Sequence, residues 1–174
     1  ETEFPVDRLI RVDGDGAGVA FAELVDAEPY DGPKPADDNA ICLMLYTSGT
    51  TGRPKGVPRS HVAERMASLG CLAQLHYHHG EVSLGVMPLF HTMGVRSLLM
   101  SVFLNGTFIC MPAYDTGAAL ATISEEKITS LFLVPTMFHD IVHSADLKDF
   151  NLGSVSNIAY AGMSMTTALV ERCA

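Results

Sequence analysis

Positive charge is scarce in this chain. Eleven Lys and Arg stand against 20 Asp and Glu, a formal net charge of -9, and no basic stripe is present to track a phosphate backbone, so a nucleic-acid partner is excluded as an expectation. Cysteine is sparse too: Cys42, Cys71, Cys110 and Cys173 are far apart and form no Cys-x-x-Cys pair. A zinc site or a redox motif is therefore not indicated, and reduced thiols in a cytoplasmic protein are the default. The start, Glu1-Thr2-Glu3-Phe4-Pro5, lacks the basic and apolar regions of a signal peptide, and no apolar run reaches membrane-spanning length. A soluble, cytoplasmic chain without membrane insertion is expected.

What is present suits a globular domain: 174 residues, 48% of them hydrophobic, are enough for one ordinary core. Residues 9–12 read as a strand ended by Asp13-Gly14-Asp15-Gly16-Ala17-Gly18, and 19–27 have helical apolar spacing. A calcium loop starting at Asp13 needs a carboxylate at its twelfth position, where Leu24 stands. A dinucleotide fingerprint lacks its third glycine. A turn is the better use of these glycines. Residues 29–38, rich in Pro, Gly and Asp, read as an exposed linker, so 1–38 form a lead-in and 39–174 the domain proper.

Residues 41–46 read as a short buried strand. The next stretch, Thr47-Ser48-Gly49-Thr50-Thr51-Gly52-Arg53-Pro54-Lys55-Gly56, has the composition of an anion cradle. Gly49 and Gly52 let backbone N–H groups approach an anion, Ser48, Thr50 and Thr51 offer hydroxyl donors, and Lys55 adds a point charge suited to terminal phosphates. It is not the P-loop of nucleotide triphosphatases, because Pro54 precedes the lysine and Gly56 follows it where Ser or Thr is required. Ser60 is a plausible N-cap for a helix to about His76, along which Val62, Met66, Leu69, Leu72 and Leu75 recur at helical spacing and define a buried face.

Beyond it the pattern alternates. Strands are expected over 82–87, 107–111, 130–134 and 156–160, and helices over 95–104, 116–126, 136–144 and from 165 onward. Strands separated by helices of this length imply a mostly parallel sheet with helices on both faces, an α/β fold. His76, His78 and His79 lack a completing ligand and read as solvated loop residues; His139 and His143, one turn apart, read as an exposed helix face. No metal ligand is assigned. In an open parallel sheet ligands bind at the carboxyl ends of the strands, so the loops after Tyr46, Met87, Val134 and Tyr160 are expected to converge on one cleft.

The loop motif resembles the signature of the adenylate-forming, AMP-binding superfamily, which includes acyl- and aryl-CoA ligases, the adenylation domains of peptide synthetases and luciferases. The later motifs fall in the order that resemblance requires. Met87-Pro88-Leu89-Phe90-His91 is similar to the segment whose aromatic or histidine gates the acyl pocket. Phe132-Leu133-Val134-Pro135-Thr136 is similar to a pocket-lining segment, and Ala161-Gly162-Met163-Ser164-Met165 stands where many members have Gly-Gly-Ala-Pro-Leu. Amino-acid-selecting members resemble one another in having Phe-Asp where this chain has Phe90-His91, so a plain carboxylic acid fits better here. The wording of the motifs is closest to aryl-acid ligases such as the chlorobenzoate enzymes.

The resemblance implies an ATP-dependent carboxylic acid:CoA ligase with ATP, Mg²⁺ and coenzyme A as cofactors and an aryl or short acyl acid as substrate. It implies Lys55 and His91 as catalytic residues, and Thr47, Ser48, Gly49, Thr50, Thr51, Gly52 and Lys55 on the ATP phosphates. Ser68, His91, Thr92, Met93, Phe132, Val134, Thr136, Ala161, Gly162 and Met163 would form the acid pocket. The family's Tyr-Gly-x-Thr-Glu element, ribose-binding aspartate, hinge and C-terminal domain with its lysine are not in these residues, so a fragment of a longer enzyme is expected, inactive alone. A carrier-protein-loading adenylation domain and a non-catalytic nucleotide- or acyl-binding remnant are the alternatives.

Overall fold

The computed structural model describes residues 10–12, 14–28, 32, 37–48 and 53–174. They fall into two compact units, 1–36 and 37–174. In the first, β1 (Ile10–Arg11) pairs in parallel with β2 (Val19–Ala20), and α1 (Phe21–Val25) follows directly. The helix expected over 19–27 is thus shorter and starts later, because Val19 and Ala20 are used as strand. Most of the expected 29–38 linker lies outside the described residues.

The second unit opens with a hairpin that sequence reading missed. β3 (Ile41–Thr47) pairs antiparallel with β4 (Lys55–Ser60), Thr47 standing opposite Lys55 and Tyr46 opposite Gly56. Gly56 and Pro58 hide β4 from a propensity reading, yet Pro58 is tolerated because a proline without an N–H can occupy an edge strand. Burial is the second correction. β3 is not buried: Ile41, Met44 and Tyr46 are exposed, and only Leu43 and Leu45 are half-covered.

α2 (His61–Leu75) starts where expected, with Ser60 accepting from the Ala63 N–H at 3.3 Å, and ends on a left-handed His76. Its buried positions, however, are Glu64 and Ser68, while Met66 and Leu69 face out. The apolar stripe therefore misidentifies the inner face. The reason is electrostatic and appears below: a buried carboxylate is held there by arginines from other elements.

A four-stranded parallel sheet in the order β6-β5-β7-β8 forms the body, from β5 (Val82–Gly85), β6 (Thr107–Cys110), β7 (Ser130–Leu133) and β8 (Asn157–Tyr160). The helices between them are α3 (Thr92–Phe103), α4 (Thr116–Glu125) and α5 (Pro135–Val142), with α6 (Thr167–Cys173) last. Register places Leu84, Ile109, Leu131 and Ile158 on one face. There Leu84, Val86, Leu131 and Leu133 form the core with Leu120 and Ile123 of α4 and Phe138 and Ile141 of α5. Each such side chain contributes roughly 1.5–3 kcal/mol by leaving water.

The other face is built from small residues. Ser83, Gly85 and Ser130 lie there; the two serine hydroxyls share a buried hydrogen bond of 2.8 Å, and the Phe108 ring occupies the space over Gly85. α3 packs on β5 and β6, and α2 packs on α3. Connection direction explains the two layers: β5 leads outward to β6 through α3, while β6 to β7 and β7 to β8 run the opposite way through α4 and α5. Right-handed crossovers then put α3 on one face and α4 and α5 on the other. The expected α/β architecture with a covered parallel sheet is present, and no helix among the described residues is long and apolar enough to cross a membrane.

Candidate functional site

The parallel neighbours β5 and β7 send their connections in opposite directions across the sheet, and this switch point creates a crevice at their carboxyl ends. The segment leaving β5 is held close. Its Pro88 carbonyl accepts from the His91 N–H at 3.0 Å, and its backbone passes so near α3 that a Cβ on Gly94 would lie 2.2 Å from Pro88 O. α3 begins at Thr92, three residues earlier than expected, because Gly94 serves close approach rather than helix breaking. His91 is its N-cap: the Met93 N–H donates to Nδ1 at 3.3 Å, which leaves Nε2 of this exposed residue for other partners.

The phosphate-loop candidates sit on the hairpin. Thr47 ends β3, Lys55 starts β4, and Thr47, Ser48 and Lys55 are all exposed. Among the described residues no carboxylate pairs with Lys55. Gly49, Thr50, Thr51 and Gly52 lie outside the described residues. β3 pairs only with β4 and not with the parallel sheet, so Tyr46, unlike Met87, Val134 and Tyr160, follows no strand of that sheet.

The acid-pocket candidates separate into groups. Phe132 and Ala161 line a cavity of about 310 Å³ with Cys71, Gln74 and Leu75 of α2 and Ala159 of β8. Thr136 and Met163 instead line an open groove of about 470 Å³ between α5 and α6. Val134 is half-buried as the N-cap of α5, with Pro135 in the first turn. Gly162 takes φ +92°, a left-handed value that suits glycine and turns the chain away from β8. Thr92 is exposed at the start of α3. Ser68 and Met93 are buried, at 0% and 6% exposure, between the helices and not on an open wall; Ser68 Oγ has no hydrogen-bond partner in the protein. Sequence reasoning missed Cys71, Gln74 and Leu75, whose spacing along α2 marks them as neighbours but not which face they occupy.

The groove beside α5 also holds His139 and His143, both exposed, with rings stacked 4.2 Å apart. His143 Nδ1 donates to the His139 carbonyl at 2.8 Å. His78 lies 3.6 Å from Glu81, a carboxylate that is itself buried and accepts from the His78 N–H and Thr129 Oγ1. Among the described residues no three His, Cys, Asp or Glu side chains gather to hold a metal. Five side chains among the described residues have displaced titration: Asp38 is lowered and Arg65 raised by the hydrogen bond between them. Burial, reinforced by Glu81, pushes the Tyr77 phenol far up; burial likewise raises Tyr114 and Cys173. None of them lies among the phosphate or acid-pocket candidates.

Comparison with known proteins adds to this geometry. The family model for AMP-binding enzymes matches residues 3–174. A 4-chlorobenzoate–CoA ligase of Pseudomonas sp. (strain CBS-3) is 31% identical over 143 residues, covering 80% of this chain and 27% of the relative. A feruloyl-CoA synthase of Amycolatopsis sp. is 32% identical over 151 residues, covering 86% and 30%. The o-succinylbenzoate coenzyme A synthetase of Bacillus subtilis in complex with ATP and magnesium superposes with a TM-score of 0.75 at 25% identity, over 87% of this chain and 32% of that one. The chain thus spans about a third or less of the length of these proteins. With a family match over nearly its whole length and an α/β sheet that superposes on a solved member, the chain belongs to the AMP-binding, adenylate-forming enzymes.

Proposed function

We propose that the protein containing this chain is an ATP-dependent carboxylic acid:CoA ligase acting on an aryl acid. The observation that carries the proposal is the β3–β4 hairpin, which presents Thr47, Ser48 and Lys55 to solvent at the mouth of a Gly-, Ser- and Thr-rich loop. Phosphate oxygens need such a set: hydroxyl and backbone donors, with one mobile cation.

In the reaction an acid carboxylate attacks the α-phosphorus of ATP and pyrophosphate leaves. The coenzyme A thiol then attacks the acyl-adenylate carbonyl and AMP leaves. Lys55 and the loop hydroxyls would hold the β- and γ-phosphates, place the α-phosphorus in line and stabilise the departing pyrophosphate. A Mg²⁺ ion accompanying ATP would be held mainly through the phosphate oxygens, with one or two carboxylates at most, and would supply charge stabilisation to the departing pyrophosphate. Among the described residues no three carboxylate, His or Cys side chains gather to hold it. His91, with Nδ1 occupied by the helix cap, suits a gate that shapes the acid site; a carboxylate arrives ionised and needs no base.

Two facts support an aryl acid. Both named relatives are ligases of ring-bearing acids by name, and the cavity between α2 and the end of the sheet, about 310 Å³, is near the lower limit for small-molecule sites. Phe132 and Leu75 give it apolar walls and Gln74 a polar contact. Free thiols at the exposed Cys42 and Cys110 suit a reducing, cytoplasmic setting. The test is acid-dependent ATP–pyrophosphate exchange by the full-length protein across benzoates, cinnamates, fatty acids and amino acids. Exchange with the ring-bearing acids supports the proposal. Exchange with amino acids alone would replace it by a carrier-loading domain, and none with any acid by a binding remnant.

A further inference from the structure

We infer that Glu64 is a positioning residue that fastens the phosphate-side hairpin and the acid-side helix to one point. Its carboxylate is 5% exposed, yet its two oxygens serve different elements. Arg59 Nε of β4 reaches Oε1 at 2.5 Å, and Arg96 Nη2 of α3 reaches Oε2 at 3.4 Å. Arg59 stands four residues beyond Lys55 on the same strand, and Arg96 five residues beyond His91 at the head of its helix. Strand and helix are stiff over those spans, about 13 Å and about 8 Å, so fixing the two arginines fixes the two functional ends.

The packing around the carboxylate gives it that task. The fully buried positions of α2 are Glu64 and Ser68, so few apolar side chains key α2 onto α3. Arg96 is 11% exposed and its Nη1 also reaches Cys71 Sγ at 3.8 Å, one turn beyond Ser68. Registration of the helices therefore rests on the Arg96 guanidinium, whose two Nη atoms divide between Glu64 and Cys71 of α2. With one guanidinium removed the carboxylate keeps a single partner and the other half of the link is lost, which loosens the distant element as well as the local one.

The turnover arm of the test rests on the ligase reading, whereas the hydrogen-exchange arm rests on the geometry alone. In the full-length protein, Arg96→Met is expected to raise the KM for ATP about ten-fold although Arg96 is on the acid side, and Arg59→Met to raise the KM for the acid by a similar factor. Arg96→Lys should recover part of the loss, because the charge returns without the planar fork. Amide exchange over 55–60 should quicken about ten-fold in Arg96→Met, with β7 and β8 unchanged. A fall in kcat with both KM values unchanged would mean only a loss of folded enzyme and overturns the inference. So does unchanged exchange over 55–60. If the wild type exchanges pyrophosphate with no acid, the ligase reading fails and the amide data alone decide the link.

Discussion

Replacing Gly94 by alanine sets two local rules against each other. Gly94 is buried within α3, and helix propensity alone credits alanine with about 1 kcal/mol at such a position. The space denies it. An alanine Cβ would sit 2.2 Å from Pro88 O, 2.5 Å from Met87 O and 2.6 Å from Pro88 C, all main-chain atoms. Contact is about 1 Å too short, and no side chain can rotate away to relieve it. Either the helix or the segment after β5 must move. That costs about 1–3 kcal/mol for overpacking, plus about 1 kcal/mol if the hydrogen bond from the His91 N–H to Pro88 O is lost.

After the propensity credit, Gly94→Ala should be destabilised by about 1–3 kcal/mol, read as a lower urea midpoint at constant slope. The control is the same exchange at Gly70 in α2, where an added Cβ meets nothing within 4 Å and the residue is exposed. Gly70→Ala should gain about 1 kcal/mol. Equal shifts of one sign in the two variants would refute the close-approach account. So would a Gly94→Ala protein as stable as the wild type. Because the displaced segment carries His91, the variant should also discriminate acids less well than Gly70→Ala does.

Lys55→Ala should slow acid adenylation by about 10²-fold in pyrophosphate exchange and leave acid binding by calorimetry almost unchanged; equal rates would remove the lysine from the mechanism. His91→Ala should change the ratio of kcat/KM between a benzoate and a cinnamate and cost about 1 kcal/mol in urea, since the Met93 N–H loses its acceptor. Ser130→Ala should cost about 1–3 kcal/mol by orphaning Ser83 Oγ, while the Ser83→Ala, Ser130→Ala double variant should recover most of it. The hydrogen bond from Arg65 holds the Asp38 carboxyl below its ordinary range. A folded pKa beneath the unfolded one means a contribution complete above the unfolded value and lost as pH falls through the folded value. Asp38→Asn should therefore flatten the acid limb of urea midpoint against pH, and an unchanged limb would show the pair to be inert.

The parallel sheet was legible because its strands are short apolar runs separated by capped helices, and both signals are local. Asp115 accepts from Ala118 N–H and Thr166 from Leu169 N–H, as N-caps do. β4 was not legible, because Gly56 and Pro58 argue against a strand and only pairing with β3 overrides them. The inner face of α2 was misjudged for a related reason. A hydrophobic pattern favours Met66 and Leu69 over Glu64, and nothing within α2 announces that Arg96, 32 residues later, will neutralise that carboxylate.

The same distinction between local and long-range information explains the state of the site. Loop composition names chemistry, since few uses other than anion binding call for Ser48, Thr50, Thr51 and Lys55 among glycines. It does not name walls. Phe132 and Ala161 were named through the resemblance of their motif segments, which lie at the carboxyl ends of β7 and β8 where an open parallel sheet lines its crevice. Cys71, Gln74 and Leu75 were not, because their place on the cavity depends on the rotation of α2 about its axis. That rotation is set by Glu64 between its two arginines. Glu64→Gln should therefore change selectivity among ring-bearing acids without any altered residue touching the acid, whereas a purely local ion pair predicts unchanged selectivity.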